Sequence, residues 1–247
     1  LSDTASLVAR LPPPDRIALF LDVDGTLIGP TAADRARGIP RPRLDLLARV
    51  QKATAGATVI LTGRSVDAVD AMFAPLHLPV AGLQGADRRY PGGKRVMPVL
   101  TAEERRIYEK IAEDVALYFP HIEIEWKPGG MALVFDPRDP AVGQLIALAE
   151  DRADGAFKVM PGRVAVDIVP RDTDKGRALS LFMVDGACAG RVPVHIGDDV
   201  PDEPAFVAAR NHGGFGVSVG RPAPCVDARL PDHEAVWAVL SAWIAAY

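Results

Sequence analysis

Leu21-Asp22-Val23-Asp24-Gly25-Thr26 closes a short apolar run at 17–23 that follows a proline-rich lead. A run of that length, without polar alternation and stopped by a glycine, reads as a strand buried on both faces. The two-residue period of a strand puts Asp22 and Asp24 on one side and Val23 on the other. Two carboxylates then converge at the strand's carboxyl end, a costly arrangement unless a cation or a shared proton compensates. Two oxygen ligands beside open space suit Mg²⁺. An isolated Asp-x-Asp-Gly also reads as a helix N-cap, with Asp24 and Thr26 bonding free backbone N–H groups. Position at the end of the first buried strand favours the paired carboxylates.

Around this strand the chain alternates. The pattern predicts a helix at 42–53, a strand at 57–62, a helix at 65–73 capped by Ser65, and a strand at 78–83. The middle changes character, with a hairpin around Pro91-Gly92-Gly93 and a helix at 102–118 capped by Thr101 and Glu104. Strands at 122–126 and 131–135 flank Pro128-Gly129-Gly130; a helix at 140–153, a strand at 157–160, a turn at Pro161-Gly162 and a strand at 164–169 follow. The first rhythm then returns: helix 175–183, strand 193–197, helix 203–209, strand 215–219 and a final amphipathic helix in 235–247. The expected fold is α/β, a doubly wound parallel-sheet core from 1–87 and 171–247, interrupted by an α+β cap at 88–170.

Composition narrows the function classes. Of 247 residues 49% are hydrophobic, enough for a sizeable core. Twenty-eight Lys+Arg against 32 Asp+Glu give −4, no field for nucleic acid or an anionic membrane. Cys188 and Cys225 make no disulfide framework, and neither has the neighbours of a zinc site. Residues 1–10 lack the pattern of a secretory signal, so a reducing, cytoplasmic location is expected; a chain starting at Leu1 leaves room for residues upstream. The expected partner is a small molecule, with no obligate protein partner, nucleic acid or membrane.

Open parallel sheets place their chemistry beyond the strands' carboxyl ends, and three further ends carry polar signatures. In Leu61-Thr62-Gly63-Arg64-Ser65, Thr62 supplies a hydroxyl and Gly63 lets the backbone approach an anion at a helix N-terminus; a capped turn explains the stretch as well. Asp174-Lys175-Gly176 opens a helix after the cap. Only six of the 28 Lys+Arg are lysine, so Lys175 stands out: a compact ammonium suits a phosphoryl oxygen or a nucleophile's carboxylate, a solvated lysine being the bland alternative. In Gly197-Asp198-Asp199-Val200-Pro201-Asp202-Glu203 the acidic density exceeds what a cap needs. Asp198 reads as a metal carboxylate, Asp199 as its outer neighbour orienting Lys175 or a metal-bound water, and Asp202 as a cap for the next helix or a second outer carboxylate.

Together the four stretches resemble the motifs of haloacid-dehalogenase-superfamily phosphatases in order and spacing. The insert between the second and third resembles that superfamily's large cap. Within it, the chain is most similar to trehalose-6-phosphate phosphatases, through Ala81-Gly82-Leu83-Gln84-Gly85-Ala86-Asp87-Arg88-Arg89, Glu125-Trp126-Lys127-Pro128-Gly129-Gly130-Met131-Ala132-Leu133, Val166-Asp167-Ile168-Val169-Pro170, the Asp198 stretch through Phe206, and Val217-x-Val219-Gly220. The resemblance implies Asp22 as nucleophile, Asp24 as general acid and base, and Thr62 and Lys175 at the phosphoryl oxygens. It implies Mg²⁺ on Asp22, Asp198 and the Asp24 carbonyl. It also implies substrate contacts from Thr26, Gly63, Arg64, Gln84, Gly85, Arg88, Lys127 and Asp167. Departures fall on the substrate side: Gln84 replaces that family's His, Asp167 its Glu, Pro201 its Thr, and Leu133-Val134-Phe135-Asp136 its His-Tyr-Arg. They admit another sugar phosphate as substrate; a phosphomutase and a non-catalytic sugar-phosphate binder are the remaining readings.

Overall fold

The computed structural model describes residues 4–247. Residues 1–3, with which the expected core segment and the stretch read for a signal begin, lie outside the described residues. The first elements are α1 (Thr4–Arg10), β1 (Ile17–Leu21), α2 (Ala32–Arg37), α3 (Arg41–Ala53), β2 (Thr58–Leu61), α4 (Val66–Phe73), β3 (Val80–Gly82), β4 (Asp87–Arg89) and β5 (Arg95–Val96). Then come α5 (Ala102–Tyr118), β6 (Glu123–Lys127), β7 (Gly130–Val134), α6 (Val142–Ala153), β8 (Phe157–Pro161) and β9 (Ala165–Pro170). The chain continues with α7 (Lys175–Val184), β10 (Val192–Gly197), α8 (Glu203–Asn211), β11 (Phe215–Val219), β12 (Ala228–Leu230) and α9 (His233–Ala245). Two compact units result, one running through Arg95 and resuming over 174–247, the other Val96–Thr173.

The first unit is built on an eight-stranded sheet ordered β12-β11-β10-β1-β2-β3-β4-β5, parallel from β12 to β3. Every residue of β1 is buried, and the strand's period divides them between two cores. Ile17, Leu19 and Leu21 join Leu7 of α1, Leu47 and Val50 of α3, Phe73 of α4, and Leu240 and Trp243 of α9. Ala18 and Phe20 face Leu179 and Phe182 of α7 and Ala205 and Ala209 of α8. Each large side chain so buried contributes about 1.5–3 kcal/mol, which accounts for an apolar run without alternation. Helix α9 starts where Asp232 accepts the Ala235 N–H, and its Trp237 and Trp243 indoles donate to the carbonyls of Leu27 and Pro12.

The second unit is an antiparallel sheet ordered β6-β7-β9-β8. Met131 opposite Ile168 and Leu133 opposite Val166 pack on Tyr108, Ile111 and Val115 of α5 and Leu145 and Ala149 of α6. Ala132 and Asp167, opposite each other, point to the other face. Among the described residues no helix is long and apolar enough to cross a membrane.

The architecture is the α/β core with an inserted α+β unit that the alternation implies, with local differences. β1 stops at Leu21 because Gly25, at φ +90°, turns the chain back, and Gly25 N–H donates to the Ile28 carbonyl. The stretch 88–95, expected in the cap, belongs to the large sheet: β4 pairs antiparallel with β3 and β5 lies beyond it. The units therefore divide after Arg95 and after Thr173, not after 87 and 170. The cause is Arg95, whose Nε and Nη2 each donate to Asp87 at 2.8 Å while Nη1 and Nη2 reach Asp67 at 2.7 and 3.1 Å. Asp87 is fully buried and also accepts the Val66 N–H at the start of α4. Helices α1 and α2 and strand β12 were not read from sequence; each is too short to show a period.

Arg95→Ala strands the buried Asp87 carboxylate, and denaturant unfolding near pH 7 should show a loss of about 3 kcal/mol. The Arg95 hydrogen bond holds Asp67 below the usual carboxylate range. Its contribution is complete above about pH 4 and disappears as pH falls through the lowered value, so the difference between wild type and variant should narrow in acid.

Candidate active site

Sheet order decides which loops meet. Leu21 pairs with Ile196 of β10 and with Ile60 of β2, and Asp22 N–H donates to the Ile196 carbonyl at 3.0 Å. The residues leaving β1, β2 and β10 thus emerge side by side at the carboxyl end of the sheet, and α7 delivers Lys175 to the same place.

At the centre Lys175 Nζ donates to Asp22 Oδ1 at 2.6 Å and to Asp202 Oδ1 at 2.7 Å. All three side chains are at most 5% exposed. Asp202 Oδ1 also takes Nε2 of His195 at 2.8 Å, and its Oδ2 takes the Asp199 N–H at 3.2 Å. Carboxylate oxygens of Asp22, Asp198 and Asp202 lie within 4.8 Å of one another, a grouping that could hold a metal ion. Two glycines are explained by these acids. A Cβ on Gly25 would lie 2.0 Å from Asp198 Oδ2, and one on Gly197 would lie 2.3 Å from Asp202 Cγ. Only a bare backbone leaves the carboxylates their space.

The electrostatics follow from burial. Burial pushes the Asp22 carboxyl up to about 7, more than the adjacent Lys175 ammonium draws it down, and the charge of Asp202 adds to the rise. Burial works the same way on Asp202, yet Lys175 and the hydrogen bond from His195 hold it below the usual range. Lys175 is raised: burial disfavours its charge, but two carboxylates in contact outweigh that.

The other core residues surround this centre. Arg64 grips both oxygens of the Asp24 carboxylate, each at 2.7 Å. Thr62 is buried and its hydroxyl accepts the Arg64 N–H. Gly63 lies between them in the β2–α4 loop. Gln84 and Gly85 sit in a turn, Leu83–Gly85, whose three φ angles are all positive. That turn is tied to the Thr62 loop by Gln84 N–H to the Thr62 carbonyl and Leu83 N–H to the Arg64 carbonyl, and Arg88 Nη1 returns to the Gly85 carbonyl. Thr26 is fully buried, with no hydrogen-bond partner for its hydroxyl among the described residues. In the second unit, Lys127 Nζ donates to Asp167 Oδ1 at 2.9 Å, on the sheet face turned away from α5 and α6.

One of the two readings given for each of Asp199 and Asp202 is corrected. Lys175 is oriented by Asp202 rather than Asp199, which accepts the Val200 N–H and caps the short turn Val200–Asp202. Asp202 makes no side-chain cap for α8, because its oxygens are committed to Lys175, His195 and Asp199. Sequence reading also passed over His195 and Arg221. His195 was hidden in an apolar run; Arg221, after Gly220, donates to the Asp198 carbonyl at 3.0 Å and to Glu203 at 2.6 Å.

A solved phosphatase of the haloalkanoate (HAD) superfamily from Bacteroides thetaiotaomicron matches with a TM-score of 0.60 at 19% identity, over 92% of this chain and 94% of that one. The C-terminal domain of trehalose-6-phosphate phosphatase from C. albicans matches with a TM-score of 0.78 at 17% identity, over 99% and 97%. The fold is thus that of HAD phosphatases. The family described as Trehalose-phosphatase matches residues 20–227. Trehalose-6-phosphate phosphatase of Escherichia coli is 32% identical over 243 residues, 97% of this chain and 89% of the relative. The chain belongs to the trehalose-phosphatase family and is a phosphoric monoester hydrolase.

Lys175→Met leaves Asp22 and Asp202 buried without their shared cation, and urea unfolding of metal-free protein near pH 7 should lose about 3–5 kcal/mol. Asp202, which Lys175 holds below the usual carboxylate range, contributes stability that is complete above about pH 4 and is lost as pH falls through its lowered value, so the deficit should shrink in acid. Equal stability of the two proteins near pH 7 would contradict this charge balance.

Proposed function

We propose that the chain hydrolyses trehalose 6-phosphate to trehalose and phosphate through an aspartyl-phosphate on Asp22. The observation that carries the reading is the fixing of buried Asp22 by Lys175 at the end of the central strand. With Oδ1 held by Lys175, Oδ2 is the oxygen that attacks phosphorus, and the bond from phosphorus to the sugar oxygen breaks. Asp24, in its protonated form and released from its pair with Arg64, gives that oxygen a proton. Asp24 then takes a proton from water as the water attacks phosphorus and frees Asp22. Lys175, the Thr62 hydroxyl and the backbone at Gly63 meet the phosphoryl oxygens.

An all-oxygen set suits a hard divalent cation. Asp202 is taken up by its three donors, which leaves Asp22, Asp198 and the Asp24 carbonyl as the proposed ligands of Mg²⁺. When bound, the ion neutralises charge on the phosphoryl group. Lys127 and Asp167 pair an ammonium with a carboxylate, a chemistry suited to reading sugar hydroxyls.

Phosphate release from trehalose 6-phosphate should require Mg²⁺, stop with chelator and return on re-addition, whereas Ca²⁺ should support it poorly. Asp22→Asn should abolish turnover and phospho-enzyme formation, while Asp24→Asn should block turnover and let phospho-enzyme build up; substantial steady-state activity of Asp22→Asn would refute the nucleophile.

Lys127→Ala or Asp167→Ala should lower kcat/KM for trehalose 6-phosphate by about 10- to 100-fold and leave a small aryl phosphate nearly unchanged. Equal efficiency of the wild type on glucose 6-phosphate and trehalose 6-phosphate would assign the chain to another sugar phosphate.

A further inference from the structure

Strand β10 is apolar except for His195, which is fully buried. An imidazole in such a slot is costly unless its nitrogens are bonded. Here the ring is held on three sides. Nδ1 faces the Phe20 carbonyl oxygen of β1 at 3.3 Å, the face lies 5.1 Å from the Phe206 ring of α8, and Nε2 meets Asp202 Oδ1 at 2.8 Å. We propose that His195 is a positioning residue of the phosphatase reaction: it fixes the Asp202 carboxylate, which in turn fixes the Lys175 ammonium on Asp22.

Connectivity supports this. Asp202 Oδ1 is shared by His195 and Lys175, and Lys175 goes on to Asp22. The series Phe20 carbonyl, His195, Asp202, Lys175, Asp22 thus begins and ends on the same stretch of chain, Phe20 lying two residues before Asp22. A closed circuit of contacts between 2.6 and 3.3 Å refers the lysine to the backbone that carries the nucleophile. Without the imidazole, Oδ1 keeps a single donor, and that donor is the long, flexible side chain whose position needs fixing. Lysine is a mobile point charge with four methylenes, so a carboxylate held otherwise only by the 3.2 Å bond from the Asp199 N–H would pass its looseness on to the ammonium. Supporting partners of this kind are typically worth about 10- to 100-fold in activity.

The inference rests on the phosphatase reading of Asp22 and Lys175, and its test separates the two. His195→Phe keeps an aromatic ring against Phe206 but offers no donor; His195→Gln restores an N–H; His195→Leu repeats the donor deletion with a smaller side chain. kcat and KM are measured with trehalose 6-phosphate and with p-nitrophenyl phosphate, alongside thermal melting. The deletions should lower kcat by about 10- to 100-fold on both substrates with KM changed by less than about threefold, and His195→Gln should recover most of the loss. Combined with Asp202→Asn, His195→Phe should add almost nothing, because both act through one carboxylate.

A second readout needs no turnover: the Lys175 ammonium resonance in ¹⁵N NMR, protected from exchange between two buried carboxylates, should persist in wild type and His195→Gln and broaden in the folded deletion variants. Wild-type kcat in the deletions, equal losses in His195→Gln and His195→Phe, additivity with Asp202→Asn, or an unchanged lysine resonance would each overturn the proposal. A wild type that releases no phosphate from either substrate would instead overturn the phosphatase mechanism, and the lysine resonance would still decide the role of His195.

Discussion

One ammonium between two buried carboxylates governs this molecule. Asp22, Lys175 and Asp202 come from three separate places in the sequence, and none of them is tolerable alone in the interior. Their mutual neutralisation lets β1 end in an acid inside a parallel sheet, and it fixes where α7 and the loop after β10 must lie. Even the glycines obey it, since Gly25 and Gly197 are bare where Asp198 and Asp202 need room. Stability and chemistry therefore depend on the same few atoms.

Much of this was legible in the sequence because the responsible signals are local. Apolar runs without alternation marked the parallel strands, and acids clustered after such runs marked the strand ends that meet around Lys175. Lys175 stood out in a chain that otherwise favours arginine. What escaped were relations between distant residues. Nothing local distinguishes Asp199 from Asp202 as the lysine's partner; the choice is made by the turn Val200–Asp202, which folds the later acid back over Gly197. His195 was invisible for a similar reason, its partners lying on β1 and beyond the end of its own strand. The stretch 88–95 read as cap because its glycines signal a hairpin, whereas its place is set by Arg95 reaching Asp87 and Asp67.

Buried acids hold cations in both units: Asp22, Asp87 and Asp202 hold Lys175 and Arg95 in the core, and Asp114 holds Lys110 and Arg152 in the inserted unit. In the inserted sheet Lys127 and Asp167 face away from the apolar core formed with α5 and α6, and satisfy each other. Asp167 holds the Lys127 ammonium at 2.9 Å.

The order of strands has a consequence for biogenesis. β1 is an interior strand, yet its partner on one side, β10, is made only after the whole inserted unit. A chain growing on the ribosome carries for most of its synthesis a wholly apolar strand with one unsatisfied edge, and at its tip a carboxylate whose counter-charge does not yet exist. Such an edge invites pairing with other chains, and closing so long a loop is slow. Docking of α7 and β10 thus seals the edge of β1 and brings Lys175 to Asp22 in one event.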